Sequence, residues 1–499
     1  MVKFGTDSAY CEHSAFFMAM KKNRPYLKPF AKYVSLNVLG MLGISCYVLA
    51  DTYFVSNGVG ALGLTALNLA VPVFSFIQGI AMLFGVGGGI KYAVAKAAGE
   101  QKEANNIFAT SLLLGAIFSA IFVLLGVFAS KPLAILLGAK DSDVFEMTRL
   151  YLQIVLFFAP AFIFQTTIAC FVRNDGNPRL SMLATLISSL FNIVFDYILI
   201  YPLNMGMLGA VLATGVSPVL GLIILSFHWI LKKNAVKLEK SKIKAKTALL
   251  ISALGLPSLV TEFSGGFVVI VFNAIIMSLA GNIGVSAYGI VANIAFVVLS
   301  MYTGVASGAQ PLVSQAHGKK DLKAKDTLLR YSLTTGGVAS ILIYILIACL
   351  NKQITAVFNS ENIAELARIA ELGLIIYFAG SIFASFNAIF SSYFAAIEKP
   401  LPSQIITLLK GLILIIPFVY LFSFLLEMPG VWISYVVTEA VVFIIAISIY
   451  AVFRKRTKKQ MLLEEIKESL EESNEDTTVE EDQVDNEQNQ PLENEQLAN

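Results

Sequence analysis

Twelve apolar runs, each of about twenty residues or more, alternate with short polar breaks along the chain. They lie at roughly 31–56, 64–90, 105–130, 145–171, 180–201, 208–231, 247–280, 285–311, 327–350, 366–396, 403–426 and 430–453. A helix of that length crosses a hydrocarbon core of about 30 Å. The pattern predicts an all-α integral membrane protein with twelve transmembrane helices. No stretch between the runs is long enough for a separate soluble domain. Pro72, Pro160, Pro218, Pro257 and Pro417 fall inside runs, where a missing backbone donor tends to kink a helix.

The pattern repeats. Aligned 221 residues apart, Gly63-Leu64-Thr65-Ala66-Leu67 returns as Gly284-Val285-Ser286-Ala287-Tyr288, and Gly209 returns as Gly430. With small shifts, the segment from Gly99 returns at Gly318, and Asn177-Pro178 at Lys399-Pro400. Six runs per half is an even number, so both halves enter the membrane in the same direction. They are expected to form two six-helix lobes related by a pseudo-twofold axis along the membrane normal, a plan shared by many secondary transporters. The expected organisation is a cytoplasmic N-terminal tail (1–27), an N-lobe (28–231), a basic linker (232–246) with seven lysines from 231 to 246, a C-lobe (247–455) and an acidic, mostly disordered tail (456–499).

Composition agrees with a membrane bundle: 57% of residues are hydrophobic and 14% charged. The net charge of +2 conceals a division. After Gln460 stand fourteen acidic residues and one lysine; the remainder holds thirty-five basic against twenty acidic side chains. The basic residues cluster at the N-terminus, in Arg173 to Arg179, in the linker, in Lys319 to Lys325 and in Arg454 to Lys459, all on one side of a twelve-span topology. The positive-inside rule assigns that side, with both termini, to the cytoplasm. Topology and lipid headgroups account for these loops without a nucleic-acid partner. The first 26 residues lack the short apolar core and cleavage site of a signal peptide, so the first span is expected to direct insertion. The cysteines (Cys11, Cys46, Cys170, Cys349) are scattered, without metal spacing or an expected disulfide.

An ionisable side chain inside a span costs about 2.5–3.5 kcal/mol on insertion scales unless paired or solvated, so those present are the functional candidates. Asp51 lies deep in the first span. Asn192 and Asp196 lie in the fifth, four residues apart and hence on one helical face. Asp51 and Asp196 sit at similar distances from the outer ends of their helices, so they share a depth. Two acids beside an amide suit a shared proton or a hard cation such as Na⁺, or else a structural bridge between helices. Glu262, near the middle of the seventh span, is a candidate proton or substrate site. Glu439 in the twelfth is another. Lys410 is read as snorkelling or pairing with a carboxylate, and His228 and His317 as structural. There is no Walker A motif, no nucleophile elbow and no metal-ligand cluster in the sequence. An enzyme is therefore not expected, no cofactor is implied, and an ion gradient is the expected energy source.

With Asp51-Thr52-Tyr53-Phe54, Gly60 to Pro72, Gly176-Asn177-Pro178 and Asn192-xxx-Asp196, the chain resembles the multidrug and toxic compound extrusion (MATE) family over about residues 28–455. Leu256-Pro257-Ser258, Glu262 and Phe272-Asn273 are most similar to its MepA-like bacterial branch. The resemblance implies two six-helix lobes around a cleft, cation-coupled drug export, and a cation site at Asp51, Asn192 and Asp196. Glu262, Asn273, Glu439 and Tyr53 are the candidates for the substrate or proton site. The sequence departs from family patterns in two places. The first span has Gly40 and Gly43 where a bending proline stands in some members, and the tenth offers Asn387 rather than an interior carboxylate, with Glu371 near its outer end.

The expected function is export of amphipathic, mostly cationic organic compounds in exchange for H⁺ or Na⁺, with lipids around the protein and no obligate protein partner. Cleft aromatics such as Tyr53, Phe74, Tyr288 or Tyr377 would add cation–π contacts. The alternatives are a flippase for a lipid-linked saccharide or an exporter of a dedicated natural product. A pyrophosphate headgroup calls for arginines in the cleft, and the N-lobe spans hold almost none, with Arg149 and Arg173 at helix ends. A scaffold or sensor acting through the acidic tail, and a passive channel, are further rivals that leave the buried carboxylates without a role.

Overall fold

The computed structural model describes residues 24–139, 142–238, 244–359 and 363–488. Most of the N-terminal tail with Cys11, the centre of the linker and the end of the acidic tail lie outside the described residues. Among the described residues there is no strand. The helices are α1 (Arg24–Gly58), α2 (Ala61–Ala97), α3 (Gln101–Phe128), a short α4 (Ser130–Leu136), α5 (Ser142–Phe157), α6 (Ala159–Asn174), α7 (Pro178–Ile200), α8 (Gly206–Ile230), α9 (Ala245–Gly318), α10 (Leu322–Phe358), α11 (Ala364–Ala396), α12 (Pro400–Leu408), a π-helical turn at Leu409–Ile413, and α13 (Ile415–Gln488).

Twelve spans are distributed over these helices unevenly. α5 and α6 form one span bent by 47°, where Pro160 at the start of α6 withholds a backbone donor. α9 holds two spans, broken at Gly281, whose φ of 58° suits a residue without a Cβ. α12, the π turn and the first part of α13 make the eleventh span, and a break at Glu427 begins the twelfth. The turns that reverse the chain are capped by their own sequence. The Asn177 side chain accepts from Leu180 N–H at 3.3 Å ahead of α7, and Asp321 accepts from Ala324 N–H at 2.8 Å ahead of α10.

The two halves meet at the end of the bundle where the basic loops lie. There α2 crosses the start of α9 so closely that a Cβ on Gly255 would sit 1.8 Å from the Leu83 carbonyl oxygen, and one on Gly87 2.1 Å from that of Ile251. Only glycine permits this backbone-on-backbone contact. The polar links between halves lie at the same end: Lys91 with Glu398 at 2.8 Å, Tyr26 Oη to Asp321 at 3.1 Å, and Gln310 to Asn174 Oδ1 at 3.3 Å. Toward the opposite end Phe263 and Phe267 of α9 are exposed, as is Tyr53 of α1.

Residues 444–488 belong to a unit of their own. Its backbone stays helical to Gln488, including residues 471–488, for which the composition predicts disorder. From 444 to 488 no glycine or proline interrupts the chain, and Glu, Lys and Leu favour the helix.

Candidate functional site

The first half holds a buried polar centre built from α1, α5, α7 and α8. Asp51 of α1 is 8% exposed, Asn192 of α7 1% and Asp196 0%. The spacing within α7 puts the amide and the acid on one face, and the packing of α1 against α7 brings Asp51 to them. The Asp51 and Asp196 carboxyl groups lie within hydrogen-bonding reach of each other. Two carboxyls make that contact only with a proton or a cation between them. Asn192 donates to Asp196 Oδ2 at 3.2 Å and accepts from Thr214 N–H at 3.3 Å. Among the described residues, Oδ1 of each acid has no hydrogen-bond donor. A buried acid pair with so few donors around it is equipped to take up a proton or a small hard cation.

Sequence reasoning did not single out Tyr47, Tyr151 or Thr214, which complete this centre. Tyr47 lies one helical turn before Asp51, a spacing visible in the sequence, and is within electrostatic reach of Asp51, Asp196 and Glu262. Tyr151, on α5, lies beside Thr214 and within electrostatic reach of the acid pair. No sequence spacing connects it to the other helices.

The other candidates lie apart from the pair. Glu262 is half-buried in α9 and faces α2, its Cβ 3.6 Å from the position a Gly79 Cβ would take. Asn273, further along α9, is half-buried and does not line the cavity described below. Tyr53 is 61% exposed against Phe54 and does not line it either. Phe74 packs edge-on against Phe162 at 5.3 Å, while Tyr288 and Tyr377 are buried in the second half, stacked on Phe272 and Tyr435. Glu439 is 4% exposed; its Oε2 accepts from Asn387 at 2.7 Å, and Lys410 of the π turn is its cationic neighbour. The second half thus carries its own buried acid, satisfied by an amide and close to a lysine.

Beside the acid pair, α1, α2, α6, α7 and α8 enclose a cavity of about 120 Å³. Its polar lining includes Asn37, Gln78, Gln165, Arg173, Ser188 and Asn192. Arg173 corrects one sequence inference. It does end α6, but it is 7% exposed and turns inward to the cavity.

A second cluster went unnoticed in the sequence because Asp175 lies in a loop otherwise read as basic. The Asp175 side chain accepts from Tyr92 Oη at 2.6 Å, from His228 Nε2 at 2.8 Å, from Lys96 Nζ, and from the Ala235 N–H of the linker at 2.8 Å. Burial alone would raise its carboxyl; the bonds from His228, Lys96 and Tyr92 prevail and hold it well below the usual carboxylate range. Gln101 and Asn105 of α3 bond the linker backbone beside it, at 3.0 Å each. The start of the linker is thereby fastened to the first half.

Comparison with known proteins agrees with this architecture. The MatE family model matches residues 38–198 and 257–421, one segment in each half. The chain is similar to a multidrug export protein MepA of Staphylococcus saprophyticus, 24% identical over 84% of this chain and 92% of that one. It is likewise similar to the MepA of Staphylococcus aureus strain MRSA252, 23% identical over 87% and 95%. Among solved structures, an outward-facing multidrug resistance MATE family transporter of the MOP superfamily superposes with a TM-score of 0.80 at 24% identity, covering 86% of this chain and 97% of the other. With a matched segment in each six-helix half and the same twelve-helix fold, the chain belongs to the MatE family, the multidrug and toxic compound extrusion family that its sequence resembles.

Proposed function

We propose that this protein is a secondary antiporter of a bacterial cytoplasmic membrane, both termini cytoplasmic, that exports amphipathic, mostly cationic organic compounds in exchange for H⁺ or Na⁺. Residues 28–231 and 247–455 act as its two lobes, joined by the linker 232–246. The observation that carries the reading is the close, buried Asp51–Asp196 acid pair, which supports uptake of a proton or a cation between the two carboxyls. The names of the staphylococcal relatives supply the drug-export half of it.

The positive-inside rule makes the basic end cytoplasmic, so lobes joined at that end are those of an outward-facing carrier. Uptake of the coupling ion by Asp51 and Asp196, with Asn192 orienting the second acid, discharges the pair and weakens its hold on an organic cation, which leaves outward. The ion-loaded carrier then closes outside, opens inside and exchanges the ion for new substrate. Ion and substrate must favour different states by a few kcal/mol for the exchange to be coupled. Glu262, facing the other lobe, is placed to report the state of the pair through Tyr47.

The test is ethidium efflux from proteoliposomes under an imposed pH gradient and then a Na⁺ gradient, with wild type, Asp51→Asn and Asp196→Asn. Efflux driven by one gradient and reduced at least tenfold in both variants is expected, and the effective gradient names the ion. A folded wild type that moves no organic cation under either gradient would overturn the proposal.

A further inference from the structure

Arg173 is a charge without a counter-charge. Its guanidinium donates from one terminal nitrogen to Asn37 Oδ1 at 2.8 Å and lies 3.6 Å from Cys170 Sγ; Nε has no partner among the described residues. It forms no ion pair with any carboxylate among the described residues. Asp175, two positions on, is already taken by Tyr92, Lys96, His228 and the linker amide. The carboxyl-terminal end of α6 offsets part of the charge, but it leaves the free N–H groups unmatched. A guanidinium this deeply buried is normally paired or solvated, and its planar fork fits two oxygens of one anion.

The surroundings suit such an anion. Arg173 lines the 120 Å³ cavity together with Gln78 and Gln165, whose amide nitrogens can donate hydrogen bonds to oxygen; the Thr166 hydroxyl beside them donates to the Oε1 atoms of both. The acid pair flanks the opposite end of this cavity, where Tyr47, Asn192 and Thr214 line it: Asn37, which holds Arg173, precedes Asp51 by fourteen residues on α1, or about 20 Å of helix. Repulsion by those acids is therefore weak at this end.

We infer that the Arg173 end of the cavity is an oxyanion site, binding the carboxylate or phosphate group of an amphipathic molecule, either a soluble anion or a lipid headgroup. It adds to the proposed export of cations a site of the opposite sign. Its occupant would compete with Asn37 for the guanidinium, and Asn37 in turn donates to the Gly304 carbonyl of the other half at 3.2 Å. The site stands on equilibrium binding, so it stands or falls separately from gradient-driven efflux.

The experiment is titration of the purified full-length protein, followed by its tryptophan fluorescence and by isothermal calorimetry. Three probes are compared: 2-naphthoate, its neutral isostere 2-naphthalenemethanol, and short-chain dihexanoyl phosphatidic acid. Wild type should bind at least one anionic probe saturably and about tenfold or more tighter than the neutral one, the usual worth of a charge-assisted bond. Arg173→Gln, which keeps a donor toward Asn37, should lose that preference, and Arg173→Lys should keep part of it. Tight naphthoate identifies a soluble anion as the source and tight phosphatidate a lipid; either supports the site. An anion preference unchanged in a folded Arg173→Gln, or no saturable anion binding by wild type, overturns it. Should Arg173→Gln fail to fold, the wild-type selectivity series together with Arg173→Lys still decides.

Discussion

Replacing Gly255 with alanine should prise the basic ends of the two halves apart. The added methyl would stand 1.8 Å from the Leu83 carbonyl oxygen and 2.6 Å from its carbon, where ordinary contact begins at 3.4 Å. The obstacle is backbone, so no rotamer change relieves it, and α2 must withdraw by about 1.5 Å. Overpacking of this kind costs about 1–3 kcal/mol, borne only by the state in which α2 and α9 touch. If the halves exchange between two arrangements, the population separated at the basic end should rise about 5- to 150-fold relative to the joined one. Spin labels at the exposed positions Lys102 and Lys323, one in each half, would report this as a longer interlabel distance on a background cleared of its native cysteines. Gly266→Ala is the control, since nothing lies within 4 Å of its added methyl. A monodisperse Gly255→Ala protein whose distance distribution superimposes on wild type would refute the two-state reasoning.

Other consequences follow from the same contacts. Lys91→Glu should also lengthen that distance by removing the 2.8 Å pair with Glu398, and adding Glu398→Lys should restore it; the half-exposed pair sets the effect at about 1 kcal/mol or less. Asp175→Asn should release the linker and speed tryptic cleavage within 232–238 several-fold. Because the native Asp175 carboxyl is depressed, its stabilisation is full above the unfolded value near 3.9, shrinks as pH falls below it, and is gone only beneath the native value. The gap in thermal stability between wild type and Asp175→Asn should therefore be constant above about pH 5 and narrow in acid. Asn387→Leu leaves the buried Glu439 without its amide donor and should cost about 1–3 kcal/mol, read as a fall in Tm that Asn387→Gln partly restores.

Much of this architecture depends on geometry local to one helix, and that part was legible in the sequence. Run lengths determined the twelve spans, and the distribution of lysine and arginine determined which loops share a side. Four-residue spacing placed Asn192 and Asp196 on one face, and counting from the helix ends put Asp51 at their depth. Contacts between helices were not legible, because they depend on how each helix is turned about its axis. In a span that is apolar all round, no amphipathic stripe records that rotation. Only the tertiary structure decided that Asp51 reaches Asp196 while Tyr53, two residues on, is exposed. It also set Glu439 against Asn387, gathered Tyr92, Lys96 and His228 around Asp175, and turned Arg173 from a helix end into a cavity wall.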